Sequence, residues 1–241
     1  MTLQIVDCTQ GEPDWYEARK GLPTASEFST VLAEAKAVGH LPQNIMDAMV
    51  KSGVSAAQLA AAVKAAKKKY SGGSATRKEY MRKLAGEVIT SDPMYTYQND
   101  HMDRGKTAED EAREHYCFAH EAEAQRVGFI KNFGAGASPD SLIGDSGGLE
   151  IKSALAHIQI ERLEKGTMPP EHVPQVQGNL WIAEREWWDF ASYCPKLPLL
   201  VVRVTRDEAY IKQLAEAVDQ FNEELAALVE KIRRYGLRDA A

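Results

Sequence analysis

Between Ala137 and Ser153 the chain reads as two short apolar strands folded back on each other across Gly144-Asp145-Ser146-Gly147-Gly148. Glycine at that density marks a turn, and the branched apolar residues on either side mark strands. Such a hairpin constrains the fold strongly, because it decides which residues lie opposite each other. Asp140 stands ahead of the turn and Glu150 beyond it, so pairing brings two carboxylates together. Strand side chains alternate between faces, which places Glu150 and Lys152 on one side and Leu149 and Ile151 on the other. Two acids and a lysine on one sheet face are costly unless a cation and an anion join them. Hard oxygen donors of this kind suit Mg²⁺ or Mn²⁺. An isolated E-x-K would read as a surface ladder; Asp140 following Pro139 at this spacing favours a functional site.

Around the hairpin, hydrophobic periodicity predicts strands at 126–133, 137–143, 149–153, 187–193 and 199–204. Helices are expected at 76–89, 102–119, 158–165, 172–183 and 207–235, with two more near the N-terminus. The first of these ends at Gly21, and Thr24 or Ser26 caps the second. An Ala- and Lys-rich segment at 55–70 has strong helix propensity and a thin apolar stripe, as a protruding helix would. Helices flanking a central mixed sheet make the fold class α/β (α+β).

On the 102–119 helix, Glu109 shares a face with Ala112 and Tyr116 rather than with the exposed acids Asp110, Glu111 and Glu114. An acid turned inward needs a partner. His115 and His120 are not spaced as a helical metal pair. Trp187 and Trp188, mid-strand, read as core and interface.

Charge and cysteine content narrow the class further. Three widely separated cysteines exclude a disulfide scaffold or a Cys-spaced metal site, and suggest reducing, cytoplasmic surroundings. The N-terminus has neither the basic start nor the apolar stretch of a signal peptide. No run is apolar and long enough to span a membrane. The net charge of −6 argues at first against nucleic acid. Residues 51–83, however, hold nine Lys and Arg against one acid, Glu79, a local excess hidden by the total. It reads as a basic arm for phosphates or as a solvated helix face.

Together, Ser138-Pro139-Asp140 and Leu149-Glu150-Ile151-Lys152 resemble the PD-(D/E)xK nuclease signature. Trp15 with Arg19-Lys20-Gly21-Leu22-Pro23-Thr24-Ala25-Ser26-Glu27, then Gly105-Lys106-Thr107-Ala108-Glu109 and Gln175-Val176-Gln177 with Trp181, narrow the resemblance to the YqaJ-like viral recombinases of lambda-exonuclease type. That resemblance implies a restriction-endonuclease-like core with a central mixed β-sheet. It also implies one nuclease domain over 1–241, departing from the pattern in a basic helical insertion at about 36–75. The implied activity is metal-dependent 5′→3′ digestion of linear double-stranded DNA. Asp140, Glu150, the Ile151 backbone carbonyl and Glu109 would hold Mg²⁺, with Mn²⁺ able to substitute, and Lys152 would hold or help deprotonate the attacking water. Arg19 resembles the 5′-phosphate anchor, with the Ser26 hydroxyl nearby at a helix start; Gln175 would contact the DNA backbone or orient the metal-bound water. By the same resemblance the working form is a ring-shaped homotrimer in a bacterial host cytoplasm, phage- or prophage-encoded, partnered by a single-strand annealing protein. An endonuclease on the same core and a non-catalytic DNA-binding protein are the competing readings.

Overall fold

The computed structural model describes residues 2–33, 55, 58, 74–94 and 100–236, the side chains of 100–106 excepted. The expected insertion at 36–75 and the 55–70 helix lie almost wholly outside the described residues.

The central sheet contains β2 (Ala124–Gln125), β5 (Ser141–Ile143), β6 (Gly147–Ser153), β7 (Trp187–Tyr193) and β8 (Leu200–Thr205), in the order β2-β5-β6-β7-β8. Only β6 and β7 run parallel; the other pairs are antiparallel. A smaller sheet joins β1 (Gln4–Val6), β3 (Phe129–Asn132) and β4 (Ala135–Ala137) in the order β1-β3-β4. The described helices are α1 (Pro13–Arg19), the single turn α2 (Phe28–Val31), α3 (Ala75–Thr90), α4 (Asp100–His120), α5 (Ala156–Lys165), α6 (Val173–Ile182) and α7 (Glu208–Arg233). The α/β class with a mixed sheet flanked by helices is therefore as expected.

Local chemistry explains where the helices start and stop. Ser74 Oγ accepts from Arg77 N at 3.1 Å ahead of α3, and Asp207 Oδ1 accepts from Tyr210 N at 3.0 Å ahead of α7. Each side chain satisfies an amide that the helix leaves unpaired. Gly166 ends α5 with a φ of +61°, a conformation that disfavours a side chain. Helix α7 buries Ile211, Leu214, Val218, Phe221, Leu225 and Val229 at helical spacing against α3 and α6. The face of the central sheet carrying Leu149 and Ile151 is covered by Ala112 and Tyr116 of α4.

One expectation changes. The strand read at 137–143 is two strands in different sheets, β4 and β5, with Ser138-Pro139-Asp140 between them. Pro139 has no amide hydrogen to give to a ladder, and Gln10 Nε2 binds the carbonyls of Val127 and Pro139 at 3.0 and 2.9 Å. The break frees Asp140 from the sheet's regular pairing. The N-terminal strand β1 was not anticipated; three residues carry too little pattern.

The basic stretch also divides. On α3, Arg77 is buried, and its Nη1 lies 2.5 Å from Glu224 of α7; Lys83 pairs with Glu79 at 3.1 Å. The Arg77 charge is spent within the fold, whereas Lys83 and Glu79 form an exposed pair on one helix face.

Candidate active site

Strand β5 pairs with β6 only as far as Ser141 opposite Leu149. Beyond that point the edge of β6 is open, and Asp140 takes the place of a paired strand: its Oδ2 accepts from Ile151 N at 2.6 Å. In extended chain the amide and carbonyl of one residue point to the same edge. The Ile151 carbonyl is thus directed to the edge that Asp140 occupies.

Glu150 and Lys152 share a face, as alternation requires, and Lys152 Nζ lies 2.6 Å from Glu150 Oε1. Glu150 is 2% exposed. A carboxylate so buried must be hydrogen-bonded, and α6 supplies the donors: Gln175 Nε2 at 2.6 Å from Oε1 and Asn179 Nδ2 at 3.0 Å from Oε2. Burial works against the Lys152 ammonium, but the charges of Glu150 and Asp140 outweigh it and hold its pKa above the ordinary lysine value. Burial, then Glu150 and Glu109, push Asp140 well above the usual carboxylate range. Negative charge is crowded here.

Glu109 is only half turned inward, its side chain 34% exposed at the edge of the α4 stripe. Its partner is Arg113, one turn on, whose Nη2 lies 2.5 Å from Glu109 Oε1. Arg113 is buried; it also donates to Asp110 Oδ1 at 2.8 Å, to Ser141 Oγ at 2.9 Å and to the Asp140 carbonyl at 3.4 Å. This one guanidinium ties α4 to the start of β5. Neither Arg113 nor Asn179 was singled out in the sequence, although the i, i+4 spacing of Glu109 and Arg113 was there to be read.

Arg19, at the end of α1, sits beside the same loop. Its Nη1 lies 3.3 Å from Ser138 Oγ, where Trp15 Nε1 also donates at 2.8 Å, and its Nη2 lies 3.4 Å from Thr24 Oγ1. The guanidinium lies over the Trp15 ring, 4.1 Å from its centroid. Burial lowers its pKa from the usual arginine value. Among the described residues no carboxylate lies within ion-pair distance of it. Of the two capping candidates, Thr24 occupies the N-cap position of a 3-10 turn that leads into α2, and Ser26 lies within that turn, exposed, with its Oγ 3.3 Å from Thr24 Oγ1. Thr24 is the buried hydroxyl next to Arg19.

Two clefts flank these residues. One of about 590 Å³ is lined by Trp15, Arg19, Thr24, Tyr80 and Lys83, and another of about 500 Å³ by Glu109, Arg113, Asp140 and Cys8. The loop at 138–140 links Arg19 of the first cleft to Asp140 of the second.

By donor type the site fits a hard divalent cation. Asp140, Glu150, Glu109 and the Ile151 carbonyl are all oxygen donors, and Asn179 Oδ1 is a buried acceptor without a partner among the described residues. Among those residues there is no ready-made group of three His, Cys, Asp or Glu ligands. Glu109 is turned to Arg113, and Glu150 to Lys152, Gln175 and Asn179. Of the remaining candidates only Trp188 is core; Trp187 is half-buried, and His115 and His120 are exposed. Trp188 is fully buried, Trp187 carries Arg203 3.7 Å from its ring centroid, and His115 and His120 pack against Tyr193 and Tyr116.

The mixed sheet flanked by helices is shared with known exonucleases. The model of the YqaJ-like viral recombinase domain matches residues 47–186, and the chain belongs to that family. The crystal structure of an alkaline exonuclease from Laribacter hongkongensis is similar with a TM-score of 0.71 at 28% identity, over 93% of this chain and 97% of that one. Its complex with dAMP matches equally well. A phage related exonuclease from Haemophilus somnus shares the fold, with a TM-score of 0.57 at 13% identity over 88% of this chain and 96% of that one. No curated protein matches the chain. Among the described residues no helix is long and apolar enough to cross a membrane.

Proposed function

We propose that this chain is a divalent-metal-dependent exonuclease acting on linear double-stranded DNA. It removes one strand from 5′-phosphorylated ends and leaves 3′ overhangs for recombination by single-strand annealing. One observation carries the reading: a hydrogen-bonded path runs from Arg19 to Ser138, two residues before Asp140, and from Asp140 to Ile151, between Glu150 and Lys152. A guanidinium without a carboxylate partner is thereby fixed relative to a cluster of acids. A 5′-phosphate held at Arg19 would set which bond lies at Asp140, and positioning of that kind lowers a barrier by avoiding entropy loss. Membership of the recombinase family and the likeness to an alkaline exonuclease support the same conclusion.

Asp140, Glu150, Glu109 and the Ile151 carbonyl would hold Mg²⁺, or Mn²⁺ in its place. Bound there, the ion supplies a more acidic water and offsets charge on the reacting phosphate. The chain's own residues do the rest. Lys152, kept as an ammonium by its acidic neighbours, donates to the attacking water and faces the charge that develops on phosphorus. Gln175 and Asn179 hold both oxygens of Glu150, so Gln175 is a positioning residue in this reading. Arg113 fixes the Asp140 peptide. Three copies in a ring about the duplex would pass the 3′ strand to an annealing protein.

A time course on linear duplex with 5′-phosphate or 5′-hydroxyl ends, in Mg²⁺ and in chelator, tests the reading. The phosphorylated end is digested faster, only with metal, and Arg19→Ala loses the preference. Equal rates from both ends in the wild type would remove the anchor.

A further inference from the structure

Arg162, on α5, is a second arginine near these residues whose charge meets no carboxylate. Its Nη1 donates to Ser192 Oγ at 2.9 Å and its Nη2 lies 3.3 Å from His172 Nε2. Among the described residues no acid lies within ion-pair distance of it. Burial, with the charges of Lys152 and Arg162, pushes His172 down to about 4, so at neutral pH both partners of Arg162 are uncharged. A guanidinium can only donate, so the bond to it makes His172 Nε2 the acceptor. The His172 ring stacks on Phe190 with centroids 5.0 Å apart, and the guanidinium lies 5.9 Å from the same ring.

The parallel register sets this group beside the candidate active site. Phe190 is in register with Glu150, and Ser192 with Lys152. In-register neighbours on parallel strands put their side chains on the same face, about 4.8 Å apart. The Arg162 head, fixed to Ser192, is thus one strand away from Lys152 and on its face. Glu150, the acid of this face, is already held by Lys152, Gln175 and Asn179. The Arg162 guanidinium is thus left with hydroxyl and imidazole partners and no carboxylate of its own. A guanidinium has five N–H donors; two groups are engaged here, and the others form a fork of the shape that receives phosphate oxygens.

We infer that Arg162, oriented by Ser192 and His172, holds a backbone phosphate of the DNA strand adjoining the bond to be cut. The inference rests on the nuclease reading above. Contacts of this kind fix register without reading sequence, and each one releases counterions, which makes it countable from the salt dependence of binding.

The test is binding of the full chain to a 5′-phosphorylated duplex over a salt series, in chelator so that nothing is hydrolysed. Arg162→Met keeps an apolar stem near Phe190 and removes the charge. It is expected to weaken binding roughly tenfold, as loss of a charge-assisted hydrogen bond does, and to reduce the slope of log affinity against log salt by about 0.9. Arg162→Lys keeps the slope. Arg162→Gln, whose amide can still donate to Ser192, gives the reduced slope should the Met variant fail to fold. A wild-type slope and affinity in the charge-removing variants would overturn the assignment while leaving the nuclease reading intact. An unchanged slope with weaker competition by dAMP for duplex binding would move the site to the released nucleotide and overturn the backbone contact. A wild-type chain that does not bind duplex DNA would overturn both.

Discussion

Arg19 Nη1 lies 3.3 Å from Ser138 Oγ, two residues ahead of Asp140, so the end of α1 and the acid at the sheet's open edge are joined by a single hydrogen bond and a short loop. A second bond to the same hydroxyl, from Trp15 at 2.8 Å, keeps the loop in place when Arg19 turns to a ligand. Ser138→Ala should therefore lower the preference for 5′-phosphate ends severalfold and leave the melting temperature within a few degrees, since it removes bonds worth about 1 kcal/mol each. End preference and thermal denaturation of the same preparation check this.

Asn179 carries a different consequence. It is 1% exposed and donates to an oxygen of Glu150, itself buried. Replacement by leucine leaves that oxygen without its donor, at a cost of about 1–3 kcal/mol. Gln175→Leu should cost less, because Lys152 still answers the same Glu150 oxygen. Thermal melts of both variants, compared with residual digestion, check the order. A larger loss for Gln175→Leu would contradict the bonding described.

Asp140 should be a residue whose neutralisation stabilises the metal-free fold. Burial and the charges of Glu150 and Glu109 oppose its ionisation. Asp140→Asn keeps an oxygen for the Ile151 amide and removes the charge. In chelator the variant should melt at or above the wild-type temperature, and Mg²⁺ should raise the melting temperature of the wild type only. Its digestion of linear duplex should fall at least a thousandfold.

Gly148 tests the packing beneath the site. A Cβ there would come within 2.4 Å of the fully buried Trp188 ring. Gly148→Ala should destabilise by about 1–3 kcal/mol, read as a shift in denaturant midpoint. Gly144, at the other end of the same turn, has open space but a φ of +52°, so its alanine variant is strained by backbone conformation alone.

The pairing of Asp140 with Glu150 and Lys152 was legible in the sequence because it depends on a two-residue period and a glycine turn, both local. The split between β4 and β5 was not, since Gln10 and Trp15, more than a hundred residues earlier, hold the intervening loop. Arg113 was half legible: its spacing to Glu109 is helical, but its bonds to Ser141 and the Asp140 carbonyl cross the fold. Asn179 and Arg162 give no local pattern, and only the register of β6 with β7 places Arg162 beside Lys152. Between Thr24 and Ser26, two hydroxyls ahead of the same helical stretch, the local pattern does not choose; the fold puts Thr24 at the N-cap and Ser26 in the 3-10 turn after it.

Cleavage from DNA ends at the Asp140–Glu150–Lys152 face is put to the test by one mixture of linear and covalently closed circular duplex, incubated with the wild-type chain and Mg²⁺. The linear molecule should be lost progressively and the circle should stay intact, with neither digested in chelator. Cutting of the closed circle would contradict cleavage from ends.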